Sequence, residues 1–556
     1  MAQLLVGPLL RWVGDGAATI FVEADRPGSV EVLGARAKTF SVEGHHFALV
    51  VVPELAAGRT HEYDVRFEGE LVWPPPGTPF PASRIRMPAD GDAVRLAFGS
   101  CRVAGPRSAP PLISRLLGAS DPWQDALLAF ARRLLEAPPE DWPTLLLLLG
   151  DQVYADDVPE ATRAGMAERR GTSPGQESAV RDFEDYARLY RDSWNDPLLR
   201  WLLSTVPNAM VLDDHEVIDD WRISRAWLDA MAEEESWPER LSGALMGYWI
   251  YQHLGNVSPA WLAEDPLLRD VQEAADGGDR LRRGVMGPLA DGTGSRWAFR
   301  RDLGEVRIVV LDTRGTRVLD EGQRDILDEA TWQWLEEHVA AARHLVVACS
   351  VPFIYAHGIH HLQAWSERVA AGAWGERAAR LVERLRRRLS LSGWPAFARS
   401  FERLGRLLAE VGSGQRGARP ASVTLLSGDV HHGYVARLRW PATTNVATPV
   451  HQVVCSPFRN PLRPHERWAQ RFAASRLGEL LFRGLARSAR VPDPGLDWFR
   501  RRGLAFDNHV AVLTFERDEV SLRAHRAIRG EAAEAVLTDL WAVRLAGAVE
   551  PSEPRG

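Results

Sequence analysis

Four short segments of the sequence carry side chains that bind metal ions in proteins, and each follows an apolar run. They are FGSC (Phe98–Cys101), LLLLLGDQVY (Leu145–Tyr154), VLDDHE (Val211–Glu216) and LLSGDVHH (Leu425–His432). Any one of them alone is a common turn sequence. Together they place several carboxylates at one edge of a sheet, which costs several kcal/mol of repulsion and desolvation unless a cation is bound there. The set therefore predicts a metal site.

The ligand types narrow the choice of metal. Carboxylate and phenolate oxygens, with one or two imidazoles and one thiolate, suit an iron-type ion beside a divalent ion that prefers oxygen. The sequence has no CxxC pair, which argues against a structural zinc site. Asp151 and Tyr154 are three residues apart, so a helical turn would return both side chains to one ion.

A β-rich N-terminal region precedes these segments. Runs of alternating or β-branched residues, separated by Gly, Pro and Asp turns, predict a small antiparallel sandwich. The runs are Ala18–Glu23, Ser29–Leu33, Phe47–Val52 and Glu62–Phe67. The proline-dense stretch Trp73–Ser83 predicts a linker and a domain boundary near residue 90. We therefore divide the chain into a sandwich (1–88), a catalytic domain with helical insertions (89–547) and a frayed tail (548–556).

Beyond residue 90, buried strands alternate with helical stretches, which is typical of an α/β domain. The predicted strands are Val94–Phe98, Leu145–Leu149, Ala209–Leu212, Val306–Leu311, Leu345–Ala348, Val423–Leu426 and Val450–Val454, followed by a hairpin of Val510–Phe515 and Val520–Ala524. Helical spacing predicts insertions over Ser178–Leu203 and Ala364–Val411. Ligands of such sheets bind beyond the carboxyl ends of the strands, where the metal-type residues stand.

Composition excludes several classes of protein. The chain has 556 residues, 45% hydrophobic and 25% charged, with a formal charge of -7 that offers no bulk attraction to nucleic acid or anionic lipid. Lys38 is the only lysine, so Schiff-base and P-loop mechanisms are nearly excluded. No apolar run reaches the ~20 residues that cross a bilayer. We find no signal peptide and only three cysteines, which favour a cytoplasmic protein.

In this order, FGSC, GDxxY, DDHE and GDxH resemble the motifs of the metallophosphoesterase superfamily, and in detail its PhoD-type alkaline phosphatase branch. The proline linker, the VLDTRG segment (Val310–Gly315) and the β-rich N-terminal region extend the resemblance over most of the chain. It implies a four-layer αββα core and a multinuclear site in which iron (Fe³⁺) is joined by calcium, with zinc or manganese as alternatives. Many branch members have a twin-arginine signal, and this chain has none.

The resemblance also implies roles for particular residues. Asp151 would bridge the metals, Tyr154 and Cys101 would bind the iron, and Asp214 would bind a metal. His215 falls on the catalytic histidine. Asp429 and His431 fall on the paired ligands of the last motif.

Other residues near these motifs keep more than one interpretation. Arg102 and Arg314 follow strand ends and would clamp phosphate, or pair with nearby acids. Asp213 would orient His215 or bind a metal. Roles for His432 and for the group His357, His360 and His361 stay open, and Cys349 and Cys455 are interpreted as structural.

We expect a hydrolase that cleaves phosphate esters with a metal-bound hydroxide, with His215 as general acid. The substrate would be a small phosphate ester, and the oligomeric state is open. A phosphodiesterase acting on nucleotides or phospholipid headgroups uses the same motifs and is the nearest alternative. A non-catalytic, metal-stabilised binding protein is the alternative of another class, against which the histidine beside Asp214 argues.

Overall fold

The N-terminal region forms two small sheets that pack face to face. The computed structural model describes residues 2–105, 123–173, 179–290, 297–531 and 534–547. One sheet has the order β1-β2-β6-β5 and the other β4-β3-β8-β9, with β7 and β10 as a separate pair. These strands are β1 Leu4–Gly14, β2 Ala17–Ala24, β3 Ser29–Val32, β4 Ala35–Lys38, β5 Phe40–Val42, β6 His45–Val52, β7 Thr60–Tyr63, β8 Val65–Phe67, β9 Glu70–Trp73 and β10 Ser83–Arg86.

The first sheet of this sandwich is buried on both faces. Ile20 and Val50 point into the sandwich core. Phe21 and Phe47, on the opposite face, lie 5.9 and 5.5 Å from the ring of Tyr251 in the larger part of the chain. Successive residues of a strand point to opposite faces of the sheet. Strand β2 therefore packs into the sandwich core with one set of side chains and against Tyr251 with the other. The sandwich is therefore packed tightly against the rest of the molecule.

A six-stranded sheet carries three of the four motifs. Its order is β13-β12-β11-β21-β22-β23, with β11, β12 and β13 parallel and the remaining pairs antiparallel. Its strands are β11 Val94–Gly99, β12 Leu145–Leu148, β13 Asn208–Met210, β21 His509–Glu516, β22 Glu519–Arg529 and β23 Ala535–Ala546. The parallel strands are mostly buried apolar residues, as expected for strands covered on both faces.

A seven-stranded sheet packs against it and carries the fourth motif. Its order is β14-β15-β16-β17-β19-β18-β20, and β15, β16, β17 and β19 are parallel. Its strands are β14 Phe299–Leu303, β15 Val306–Val310, β16 His344–Ala348, β17 Ser422–Ser427, β18 Gly433–Arg439, β19 Val450–Val454 and β20 Asp497–Ala505. Val310 and Leu426 face the core shared with the six-stranded sheet. Val309 and Leu425 face the opposite side, where helices pack.

Helices form the two outer layers. The described α-helices are α1 Ala126–Glu136, α2 Glu160–Arg170, α3 Phe183–Trp194, α4 Pro197–Thr205, α5 Arg225–Ala232, α6 Trp237–Gly247, α7 Pro259–Glu264, α8 Pro266–Glu273, α9 Gly278–Ala290, α10 Glu329–His338, α11 His357–Ala370, α12 Glu376–Arg388, α13 Ala398–Ser413, α14 Pro464–Ala473 and α15 Arg476–Ser488. Residues of α1, α3, α4 and α6 join the core of the six-stranded sheet, and residues of α10 and α13 join that of the seven-stranded sheet. The predicted four-layer αββα core with an N-terminal all-β region is confirmed.

The predicted strands all appear, with ends that differ by a few residues. Glu62–Phe67 is divided between β7 and β8, and each helical insertion consists of several helices rather than one. The predicted boundary near residue 90 falls between β10 and β11 and stays a prediction, and the tail 548–556 lies outside the described residues. Within the described ranges, no helix is both long and apolar enough to cross a membrane.

Candidate metal centre

The four motifs meet where the parallel strands of both sheets end. Cys101 follows β11, Asp151 follows β12, Asp214 follows β13 and Asp429 follows β17. Backbone bonds join two of these loops, since the amide of Cys101 donates to the carbonyl of Gly150 at 3.2 Å. The separate sequence motifs therefore form one site, as their positions at strand ends predict.

Four of the predicted ligands have a left-handed backbone. The φ angles are 59° at Cys101, 54° at Asp151, 64° at Asp429 and 51° at His431. Residues with a Cβ atom rarely adopt this conformation, and the surrounding structure must hold them in it. Such outliers concentrate at functional sites, because they direct a side chain where regular structure does not.

One group of candidate ligands combines sulfur, oxygen and nitrogen. Ligand atoms of Cys101, Asp151 and His431 all lie within 4.8 Å of one another. The hydroxyl of Tyr154 donates to Asp151 Oδ2 at 3.2 Å and accepts a hydrogen bond from Asn460 Nδ2 at 3.0 Å. The arrangement brings Cys101, Asp151 and Tyr154, the residues expected around an iron-type ion, together with His431 of the last motif.

Further groups are built around Asp214. Asp151, Asp214 and His215 form one such group, and Asp213, Asp214 and Asp429 form another, with the same 4.8 Å limit. Asp151 thus belongs both to this region and to the group that contains Cys101. A carboxylate shared in this way is in the position expected of a ligand that bridges two ions.

Arg314 offsets part of the negative charge. Its Nε donates to Asp213 Oδ1 at 2.6 Å, and one of its terminal nitrogens lies 2.7 Å from Asp429 Oδ1 and 3.1 Å from Asp214 Oδ1. The Arg314 side chain is 1% exposed. Arg102 is also buried, and its guanidinium contacts Asp125 at 2.9 Å and the carbonyl of Ser193 at 3.0 Å. Both arginines therefore pair with nearby acids, which is one of the two interpretations that the sequence left open.

The single positive charge of Arg314 does not neutralise the carboxylates of the site. Burial raises the pKa of Asp151, and the charges of Asp213 and Asp214 add to the shift against the opposing charge of His215. Burial also raises the pKa of Asp213 to about 7 and that of Asp429 to about 6, although Arg314 opposes both shifts. At neutral pH the positive charge near these carboxylates is therefore too small to stabilise all of them in the ionised form.

Two observations indicate that the candidate ligands are suited to binding metal ions. Asp213 Oδ2 is buried and has no hydrogen-bond partner among the described residues. The donor sets also differ: the group with Cys101 and His431 offers the softer atoms that a transition metal prefers, and the group with Asp429 offers carboxylates alone. A cation would satisfy the free oxygen and lower the pKa values of the carboxylates.

His215 lies beside these groups with one nitrogen fixed. Its Nδ1 contacts Asp156 Oδ1 at 2.9 Å, and its ring lies 4.4 Å from that of Tyr154. Burial acts to lower the pKa of His215, but the negative charges of Asp151 and Asp156 outweigh it and raise the pKa. The two carboxylates thus favour the protonated imidazole, and Asp156 leaves Nε2 unused.

Sequence reasoning missed two supporting residues. Glu216 accepts backbone hydrogen bonds from Asp151, Gln152 and Asp213 at 3.1, 2.7 and 2.9 Å, so it ties the two acidic loops together. Asp156 orients His215. The only sequence signal was their place within or just after the DDHE and GDQVY segments.

Most of the open residues lie outside the ligand groups. His432 is buried, its Nδ1 donates to the carbonyl of Val430, and its ring stacks on Tyr434. His357, His360 and His361 lie in the first turns of α11, and His360 packs against Phe401 and Trp498. Asp213 pairs with Arg314 rather than with His215. Cys349 and Cys455 are buried in the apolar cores.

Comparison with known proteins finds a matching family and proteins of similar fold. A family model described as PhoD-like phosphatase matches residues 129–473, and one described as a domain of unknown function (DUF7800) matches residues 1–85. A solved structure titled "Structure of PhoD" is similar over 99% of this chain and 92% of its own, with a TM-score of 0.57 and 12% identity. A purple acid phosphatase, PPD1 from yellow lupin (Lupinus luteus) seeds, aligns over 97% of this chain and 74% of its own, with a TM-score of 0.49 and 12% identity. No curated protein matches the chain.

Proposed function

The chain belongs to the PhoD-like phosphatase family, and from that premise we propose that it hydrolyses phosphate esters at a multinuclear metal site. The observation that carries the proposal is the sharing of Asp151 between two ligand groups, beside an oriented histidine. A protein stabilised by metal alone would have no use for a partly buried Asp156–His215 pair beside its ligands. That pair therefore favours the enzyme over the non-catalytic alternative.

We assign the iron-type ion to Cys101, Asp151, Tyr154 and His431. We assign a second, oxygen-preferring ion such as calcium to Asp214 and Asp429, with Asp151 as the shared ligand and the Oδ2 of Asp213 as a further donor. When bound, such ions neutralise phosphoryl oxygens and supply a nucleophile near neutral pH. The protein holds the ligand loops in place through Glu216. It also shields Cys101 and Asp151 from solvent, whereas the Asp429 side chain is 25% exposed.

His215 is the residue we assign to proton transfer. Asp156 fixes Nδ1, so the proton for the leaving alkoxide is at Nε2. The charge of Asp156 keeps the imidazole protonated and in one orientation, which suits a general acid. Asp219 Oδ1 lies 3.9 Å from Nε2 on an exposed side chain and leaves the nitrogen free to donate.

Arg314 is the better of the two predicted phosphate contacts. One of its terminal nitrogens, NH1, has no hydrogen-bond partner among the described residues, while its other nitrogens hold Asp213 and Asp429. A phosphoryl oxygen at NH1 would complete its contacts. Arg102 stays a prediction, and its pairing with Asp125 favours a role in holding the loop after β11.

A substrate panel tests the proposed function. Purified protein is assayed with aryl and alkyl phosphate monoesters and with the matching diesters, before and after removal of metal by a chelator. We expect hydrolysis that chelation abolishes and added metal restores. The ratio of monoester to diester turnover decides between the phosphatase and the phosphodiesterase. Metal-replete protein that cleaves none of these esters would refute the proposal.

A further inference from the structure

A helical hairpin beside the candidate metal centre presents an apolar surface to solvent. It consists of α14 and α15, and its exposed apolar residues are Trp468, Phe472, Leu477, Leu480 and Leu481. Trp468 is 70% exposed, and Leu477 and Leu480 are each 68% exposed. Large apolar residues clustered in this way mark an interaction surface, because a soluble monomer gains nothing by exposing them.

The exposed residues are not the face by which the hairpin packs. Leu485, Ala486 and Ala489 of the α15 region lie against Trp365 and Val369 of α11. Leu477, Leu480 and Leu481 are spaced along the opposite side of α15, and no described residue covers them. Helix α15 therefore has two apolar faces. One packs against α11, and the other is exposed to solvent.

The charge around this surface is strongly positive. Residues 463–493 contain seven arginines, two glutamates and one aspartate, a formal charge of +4 in a chain whose total is -7. Asp493 pairs with Arg483 at 2.7 Å and with Arg487 at 3.0 Å. Arg471 lies 5.8 Å from the ring of Trp468, and Arg476 begins α15. Tryptophan, leucine and arginine on one amphipathic element are the composition of helices that lie in a membrane interface.

We propose that this hairpin docks the protein on an anionic lipid surface, with the leucines and Trp468 inserted and the arginines at the headgroups. Charge complementarity favours this occupant over a second copy of the chain. A symmetric dimer through the same surface would bring two copies of a segment with net positive charge together, which is repulsive. The net negative charge of the whole chain does not oppose docking, because charges are screened beyond about 10 Å.

The hairpin also adjoins the metal centre. Phe506 lies 5.8 Å from His432 and 5.1 Å from the guanidinium of Arg471. Asn460, which contacts the Tyr154 hydroxyl, precedes α14 by only a few residues. Docking would therefore bring the candidate site close to the lipid surface. The docking proposal itself rests on the surface and does not require the catalytic assignment.

Co-sedimentation of the full chain with vesicles tests the proposal. We expect binding to phosphatidylcholine vesicles that contain phosphatidylglycerol, weaker binding without it, and weaker binding at high salt. The variant L477S/L480S/L481S should lose about tenfold in partitioning for each leucine. R476Q/R490Q should weaken binding only to the anionic vesicles. Leu71→Ser removes an exposed leucine of the N-terminal sandwich and should bind like wild type.

Hydrolysis of a soluble ester and circular dichroism check that each variant folds, and Trp468→Ser on α14 provides a second variant if the triple change does not fold. No binding of wild-type protein to the anionic vesicles would overturn the proposal. Unchanged vesicle binding by the folded leucine variant would also overturn it. A third contrary result would be a wild-type protein that is dimeric and does not bind vesicles, together with a leucine variant that is monomeric. Because binding needs no turnover, failure here is distinct from failure of the proposed function.

Discussion

Replacing Asp156 by asparagine separates the charge beside His215 from the shape of the side chain. Both carboxylate oxygens of Asp156 lie about as close to Nδ1, at 2.9 and 3.0 Å. An asparagine carbonyl can still accept from Nδ1, so the orientation of the ring is kept while the charge is lost. An opposite charge at this range shifts a pKa by about 1–3 units, equivalent to about 1.4–4 kcal/mol.

The sign of the effect follows from the direction of the shift. Asp156 raises the pKa of His215, so its removal lowers that pKa and the protonated imidazole disappears at lower pH. The alkaline limb of kcat against pH should therefore move to lower pH. Above that limb, hydrolysis of an alkyl ester should fall about 10- to 1000-fold, since each pKa unit removes about nine-tenths of the acid form. A nitrophenyl ester should lose much less, because its leaving group needs little protonation.

The assay is a pair of pH–rate profiles, one for each leaving group, on samples of equal metal content. Asp219→Asn is the comparison variant, since Asp219 is 63% exposed, lies 3.9 Å from Nε2 and does not hold Nδ1, so it should move the alkaline limb less than Asp156→Asn does. Equal losses on both esters, with the alkaline limb unmoved, would show that Asp156 supports the loop rather than the proton on His215.

Three other substitutions test separate parts of the account. Tyr154→Phe keeps the ring but removes the oxygen, so iron-loaded protein should lose its visible phenolate charge-transfer band and bind less iron, and an unchanged spectrum would remove Tyr154 from the ligands. Glu216→Gln should lower the free energy of unfolding by about 1–3 kcal/mol and weaken metal affinity about 10- to 100-fold, because a backbone donor loses its acceptor; urea unfolding and metal titration measure both. His45 lies between Glu23 and Glu184; burial acts to lower its pKa, but these carboxylates raise it to about 9. The contribution of His45 to stability, about 3 kcal/mol, should be complete below pH 6.5 and lost as pH rises through 9, so the difference in urea stability between wild type and His45→Gln should shrink over that range.

The sequence was informative about the ligands because of strand geometry. Parallel strands end at the same edge of a sheet, so apolar runs followed by Cys101, Asp151 and Asp214 predict that these side chains meet. The fourth motif comes from the other sheet, and the resemblance to a known family rather than the pattern placed it there. The chemistry of the side chains therefore identified the candidate ligands. Strand topology predicted that three of the motifs lie together.

Contacts between distant side chains were not predictable in the same way. Nothing in the spacing of Asp156 and His215 shows that they touch, since both lie in irregular loops. The alternation of β2 predicts one buried face, whereas the strand is buried on both, because Phe21 packs against Tyr251. Leu477 and Leu480 have the helical spacing of core residues, and only the structure shows that they face solvent.

Metal content and ester hydrolysis measured on the same purified samples test the central claim most directly. Elemental analysis of wild-type protein should find iron together with a second metal, and the same sample should hydrolyse phosphate esters. Asp151→Ala removes the carboxylate shared by two ligand groups, so it should lose both metals and nearly all activity. Hydrolysis by protein with metal at background level, or an Asp151→Ala protein that keeps its metals and its turnover, would contradict the account.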